Sequence, residues 1–212
     1  MTSEHDTQFK SALEAALANL GQASLSEKQI TQLVKHYSLM RAWNRRVNLT
    51  RIVEPDEAAR LHYADSLFGG RFIEHARRVL DIGSGAGFPA LPLAVLRPDV
   101  EVTALEANQK KSVFLNEARD ELGLANFKVA TARLESFDLA GYDLLTSRAL
   151  DRAEEILPPV IAHINAHQRF MLYCAPDLLA KINNLHGSMI EVKTHRVPQA
   201  ESRLIAIFSR AG

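Results

Sequence analysis

A single cysteine, Cys174, in 212 residues excludes an intramolecular disulfide and any CxxC metal motif. Net charge is missing too: 25 Lys+Arg stand against 25 Asp+Glu, so no global field draws in nucleic acid. Any polyanion must then be held by local basic patches. Long apolar runs are absent. The longest, Phe88 to Leu96, stops at Arg97, short of the roughly 20 residues that span a bilayer. The opening residues, Met1 to Asp6, lack the basic-then-apolar order of a signal peptide. The histidines show no ligand-type pairing, so no metal is expected. There is no internal repeat, no low-complexity segment and no linker rich in Pro, Ser or Gly. A soluble, cytoplasmic chain without membrane association is expected, monomeric and long enough to bury a substantial core.

What is present is organised around Val79-Leu80-Asp81-Ile82-Gly83-Ser84-Gly85-Ala86-Gly87-Phe88-Pro89. A short apolar run carries one acid before a glycine turn, and Pro89 opens an apolar segment of helical length. This reads as strand, tight loop, helix. Glycines serve where backbone turns sharply or approaches a ligand, and a helix start offers free N–H groups to a carboxylate or phosphate. The dinucleotide fingerprint wants its third glycine five positions after the first. Here Gly87 comes four after Gly83, and Phe88 holds the expected place, which weakens an NAD reading. Asp-x-Gly-x-Gly-x-Gly instead resembles the first motif of Rossmann-like S-adenosylmethionine (SAM) methyltransferases.

Before this stretch the chain reads as helical. Phe9, Leu13, Ala16, Leu17 and Leu20 share one face, and Ser26 with Gln29 forms a capping box ahead of Ile30, Leu33, Val34, Tyr37 and Met40. Pro55 opens a third helix through Phe68, closed by Gly69-Gly70. After the glycine loop, strands at Val100–Leu105, Phe127–Ala130, Tyr142–Thr146 and Phe170–Tyr173 alternate with helices. One of these starts at Ala149 and is interrupted at Pro158-Pro159. Met189–Val192 and Leu204–Phe208 form a terminal hairpin. The expected fold is α/β: a Rossmann-like, mostly parallel, doubly wound sheet with ligands at the carboxyl ends of its strands. Residues 1–76 form an N-terminal helical cap fused to a core at 77–212, together one domain over 1–212.

Glu106 ends the second strand, where an acid in such a sheet accepts hydrogen bonds from a ribose diol. Leu134 and Glu135 follow the third strand, beside an adenine's expected place. Arg148 follows the fourth at the mouth of the presumed pocket, and a buried arginine needs an anion, from a ligand or from a structural acid. The loop after it lacks the Asn/Asp-Pro-Pro-aromatic cluster used on exocyclic amines and the Pro-Cys pair that attacks pyrimidine C6. Cys174 reads as a small core residue, and His62 as hydrogen-bonded structure. Arg41, Arg45, Arg46 and Arg51 form the densest basic segment, with Trp43 among them. Such a loop suits RNA as well as a solvated face, and Lys110 and Lys111 extend it.

Together Trp43-Asn44-Arg45-Arg46-Val47-Asn48-Leu49-Thr50, His62 with Asp65-Ser66, the Asp81–Pro89 loop and Ser147-Arg148-Ala149 resemble the bacterial small-subunit rRNA guanine-N7 methyltransferases, once called glucose-inhibited division protein B. The resemblance covers essentially the whole chain. It implies methyl transfer from SAM to a guanine N7 in the decoding-region hairpin of 16S rRNA, within the 30S subunit or its precursor. It places SAM contacts at Gly83, Phe88, Leu134, Glu135 and Arg148, with Gly85, Gly87 and Glu106 completing the cofactor set. No general base is expected, since N7 has no proton to lose. Leu61 stands where the family usually has Arg, and Cys174-Ala175-Pro176 replaces a common Lys-Gly. The alternatives are a SAM methyltransferase with another RNA or small-molecule acceptor, and a non-catalytic RNA- or SAM-binding module.

Overall fold

The computed structural model describes residues 3–21, 25–148, 153–183, 189–198 and 203–211. Two helices, α1 (Glu4–Asn19) and α2 (Glu27–Asn44), open the chain, and both begin with a reciprocal capping box, Ser3 with Asp6 and Ser26 with Gln29. Phe9 of α1 stacks on Tyr37 of α2 with ring centroids 4.2 Å apart and meets the edge of Tyr63 at 4.7 Å. Tyr63 lies in the next helical stretch, which changes pitch three times. It runs from α3 (Pro55–Ala58) through a π-helical turn (Ala59–Ala64) into α4 (Asp65–Phe68) and a 3₁₀ turn (Gly69–Phe72).

The sheet order is β3-β2-β1-β4-β5-β7-β6. Strands β1 (Arg78–Ile82), β2 (Glu101–Leu105), β3 (Phe127–Ala130), β4 (Leu144–Arg148) and β5 (Arg169–Cys174) pair in parallel. Most residues of β1, β2, β4 and β5 are buried on both faces, which is why they read as continuous apolar runs rather than alternating ones. Helices α5 (Ala90–Leu96), α6 (Gln109–Leu122), α7 (Ala153–His163) and α8 (Pro176–Asn183) connect them. Strand β7 (Leu204–Arg210) inserts antiparallel between β5 and β6 (Ile190–Arg196), so the hairpin's first strand is the edge. Strand order reverses between β1 and β4, and that opens a crevice at their carboxyl ends.

The N-terminal helices share this core. One apolar cluster joins Phe9, Leu33 and Tyr63 to Val79, Leu91, Phe114 and Ile205. Gln29 Nε2 donates to Val95 O at 3.0 Å and Gln32 Nε2 to Leu122 O at 2.7 Å, so α2 satisfies carbonyls left open at the ends of α5 and α6.

Three expectations change. Helix α7 runs through Pro158 and Pro159 without a break. Each proline removes a backbone donor, but Leu157 and Ile161 are fully buried and Val160 nearly so, and seating that face on the sheet outweighs the loss. The start at Ala149 lies outside the described residues. The third helix ends at Phe68 as expected but runs on into the 3₁₀ turn. Gly69 is required there by packing, since a Cβ would sit 1.8 Å from Tyr173 Oη. Finally, β4 reaches Arg148, which is its last residue rather than the one after it, in register with Tyr173. Among the described residues no helix is long and apolar enough to cross a membrane, and no three His, Cys, Asp or Glu residues gather as metal ligands.

Candidate active site

At the carboxyl ends of β1, β2 and β4 lies a cleft of ≈ 500 Å³ whose lining includes Gly83, Gly85, Phe88, Glu106, Leu134, Glu135, Arg148 and Lys111. The loop after β1 shapes its floor. Gly83, Gly85 and Gly87 all have positive φ, at 73°, 55° and 86°, a region that L side chains enter only with strain. Gly83 N–H donates to Leu105 O at 2.9 Å, tying the turn to the end of β2. Gly87 is set apart from the cleft. Its missing Cβ would lie 2.3 Å from Leu91 Cδ1, so this glycine admits the close approach of α5.

Glu106 is buried and already half committed. Its Oε2 accepts from Gly85 N–H at 2.9 Å and its Oε1 from Asn108 N–H at 2.8 Å. The carboxylate thus shapes the glycine loop and the start of α6 while one lone pair on each oxygen remains for hydroxyl donors. Leu134 and Glu135 form a 3₁₀ turn beyond β3. Lys110 and Lys111 occupy the first turn of α6, which has no acid. Cations are unfavourable at that end of a helix dipole.

Among the described residues Arg148 is one of three cations in the cleft lining, with Lys111 and Arg133. Its Nη1 donates to Leu61 O at 2.8 Å, its Nη2 faces His62 Nδ1 at 2.7 Å, and its guanidinium lies over the Phe88 ring, 5.0 Å from the centroid. Among the described residues no carboxylate is bonded to it; Asp65 is taken by Arg203 at 2.7 Å. Burial pushes the guanidinium down to about 10. A largely buried cation that faces a carbonyl and an imidazole, with no carboxylate bonded to it among the described residues, can receive an anionic ligand.

His62 stacks on Phe88 at 4.5 Å and contacts Thr50 Oγ1 through Nε2 at 2.8 Å. Burial, reinforced by Arg148, pushes it down to about 2, so it is neutral. His36, likewise driven by burial to about 3, donates from Nε2 to Ala86 O at 3.1 Å and accepts from Tyr63 OH. It pins the glycine loop to α2.

The basic segment divides. Arg45, Arg46, Arg51 and Lys110 are exposed and outside the cleft lining, while Lys111 is within it. Trp43 turns inward: its Nε1–H donates to Glu117 at 3.1 Å and its ring edge meets Phe114, so it anchors α2 to α6. Asn44 holds the loop shut, donating to Thr50 O and accepting from the N–H groups of Leu49 and Thr50. That closure brings Leu49 and Thr50 into the cleft beside Ser84, Ala132, Arg133 and Ile156, none of which local pattern had marked as site residues. Cys174 is buried in the core, and burial pushes its thiol up to about 12.

Below the cleft, Asp81 is fully buried. Its Oδ2 accepts from Ser84 Oγ at 2.6 Å, whereas among the described residues Oδ1 has no hydrogen-bond partner. Burial pushes this carboxyl up to about 7, above its ordinary 3.8. Its stabilising contribution is therefore complete below pH 3.8 and is lost as pH rises through 7. Relative to Asp81→Asn, ligand-free wild type should lose about 2 kcal/mol of unfolding free energy between about pH 5.5 and 8.5. Urea melts at the two pH values check this. Parallel losses in both proteins would show that Asp81 is already ionised.

Comparison with known proteins matches this geometry to a family. The family model described as GidB, rRNA small subunit methyltransferase G, matches residues 29–203. The Methylococcus capsulatus protein named ribosomal RNA small subunit methyltransferase G is 43% identical over 145 residues, 68% of this chain and 70% of that one. A Streptococcus thermophilus protein of the same name is 31% identical over 210 residues, 92% and 88% of the two chains. The fold is shared more widely. A SAM-dependent O-methyltransferase from Thermotoga maritima superposes with a TM-score of 0.56 at 18% identity, over 82% of this chain and 71% of that one. A ribosomal protein L11 methylase from Lactobacillus delbrueckii does so at 0.56 and 15%, over 72% and 80%. A Rossmann-like sheet, a glycine-floored cleft and sequence identity over most of its length converge: the chain belongs to the GidB family, rRNA small subunit methyltransferase G.

Proposed function

We propose that this protein transfers the methyl group of SAM to N7 of a guanosine in 16S rRNA, within the 30S subunit or its precursor. The observation that carries the reading is a buried cation in the cleft to which, among the described residues, no carboxylate is bonded. His62 is held at both nitrogens and kept neutral, and Glu106 is tied to two backbone amides. Such a site suits an acceptor whose lone pair is already free. SAM supplies the electrophilic methyl. The chain's own part is alignment and exclusion of water. Glu106 receives ribose hydroxyls, Leu134 and Glu135 border the adenine, and Gly83, Gly85 and Arg148 hold the carboxylate end above Phe88. Incubating 30S subunits from cells lacking this enzyme with radiolabelled SAM tests the reading. Label at an N7-methylguanosine supports it; label elsewhere, or none on subunits that bind the protein, overturns it.

The exposed Arg45 and Arg46, with Arg51 and Lys110, form the RNA-facing surface in this reading. Arg45→Glu with Arg46→Glu should leave SAM affinity unchanged, weaken binding to 30S subunits by at least about tenfold and flatten its salt dependence, because each lost phosphate contact releases about one counterion fewer. Filter binding across a salt series measures this. An unchanged slope would make the segment a solvated face.

A further inference from the structure

We propose that Thr50 selects guanine: its hydroxyl donates to O6 of the base whose N7 is methylated. The inference rests on the proposed function and starts from the direction of three hydrogen bonds. A guanidinium only donates, so at 2.7 Å from Arg148 Nη2 the Nδ1 of His62 must accept. A neutral imidazole accepting at Nδ1 carries its proton on Nε2, and Nε2 therefore donates to Thr50 Oγ1 at 2.8 Å. Ile52 N–H donates to the same oxygen at 3.1 Å. Both lone pairs of the Thr50 hydroxyl are thus filled, and its O–H can act only as a donor. Among the described residues no acceptor receives it, and Thr50 lines the cleft.

The acceptor follows from position and chemistry. Thr50 is joined directly to the exposed Arg51 and closes the loop that carries Arg45 and Arg46, so it stands where the RNA-facing segment enters the cleft. The cofactor's carboxylate already has Arg148 and the glycine-loop amides. On the major-groove edge of guanine both N7 and O6 accept. A donor on N7 would occupy the lone pair that attacks, which leaves O6. Adenine presents an N6 amino donor at the same place, and two donors cannot pair. A fixed donor therefore rejects adenine by more than apolar shape could.

The test varies both partners. Reconstituted 30S subunits carry either guanosine or 2-aminopurine riboside, which keeps N7 and lacks O6, at the target position. Single-turnover methyl transfer is measured for wild type and Thr50→Val. On guanosine the variant should be slower by about tenfold, the effect of losing one buried hydrogen bond. On 2-aminopurine the two proteins should react at the same rate, since no O6 remains to be lost. Thr50→Ser should stay within about threefold of wild type on guanosine, and Thr50→Ala gives the same two-base comparison should valine disturb the loop. A wild-type to variant ratio equal on both bases would reduce Thr50 to a structural support and overturn the proposal. Failure of wild type to methylate guanosine subunits at N7 would instead overturn the proposed function.

Discussion

Arg148→Met should bind SAM at least about 100-fold more weakly than wild type, while its ligand-free fold should stay within about 2 kcal/mol of wild type. Both halves come from one observation. The guanidinium sits over Phe88 and bonds to Leu61 O and His62, with no carboxylate bonded to it among the described residues. Burial pushes it down to about 10, so the fold without ligand works against the charge. A methionine of similar length keeps the contact with Phe88 and removes that penalty. Leu61 O is not orphaned, because Arg203 Nη1 also donates to it at 3.1 Å. What is lost within the fold is the donor to His62 Nδ1, which offsets part of that relief, and at the ligand the charge-assisted bond to an incoming anion, worth far more in a desolvated cleft than at a surface. Calorimetric titration with SAM and urea unfolding without it give the two numbers. A destabilised variant with intact SAM affinity would show that Arg148 is a structural cation and nothing more.

Much of this site was legible because its parts are written locally. The apolar run to Ile82, the acid at Asp81 and the glycines after it are neighbours in sequence, and each obeys a rule of backbone geometry. Glu106 was legible by topology, since an acid ending the second parallel strand must face the crevice. Arg148 was legible as a buried-cation problem, although the strand proved to include it. The alternation of strands and helices announced the sheet, while the insertion of β7 between β5 and β6 did not show, because pairing partners leave no mark in local pattern.

What stayed hidden depends on contacts between distant positions. Thr50 meets His62 across 12 residues and His62 meets Arg148 across 86. Donor direction in that chain is set at its far end, so no window around Thr50 contains it. The π-helical turn that carries Leu61 and His62 is likewise invisible to a 3.6-residue period, though such turns recur at functional sites. Trp43 shows the same limit. Beside four arginines its segment suits RNA as well as a solvated face, and the pattern does not show that its ring is used against Phe114 and its N–H on Glu117. Pro158 and Pro159 mislead for a related reason: local rules predict a break, and tertiary burial overrides them.

Gly83 and Gly87 belong to one motif and should fail in different ways. At Gly83 φ is 73° and the residue lines the cleft. Valine there must enter the left-handed region, at about 1–3 kcal/mol of strain, and its branched side chain occupies ligand space. Gly83→Val should therefore remain folded, with reduced stability, and bind SAM at least about 100-fold more weakly, a loss of about 2.7 kcal/mol or more. Gly87, at φ 86°, lies outside the cleft. A Cβ there would meet Leu91 Cδ1 at 2.3 Å, Leu91 Cγ at 2.9 Å and Leu115 Cδ2 at 3.2 Å. Leu91 and Leu115 are both fully buried, so neither has open space into which to withdraw. Even Gly87→Ala then combines left-handed strain with overpacking and should lose about 3 kcal/mol or more, while the molecules that stay folded keep SAM affinity within about threefold, a difference of some 0.6 kcal/mol. Urea unfolding paired with calorimetry separates the two phenotypes, provided affinity is referred to the folded fraction. If Gly87→Ala were as stable as wild type but blind to SAM, the cofactor would lie deeper against α5 than the cleft indicates. If Gly83→Val bound SAM normally, the glycine loop would not be its seat.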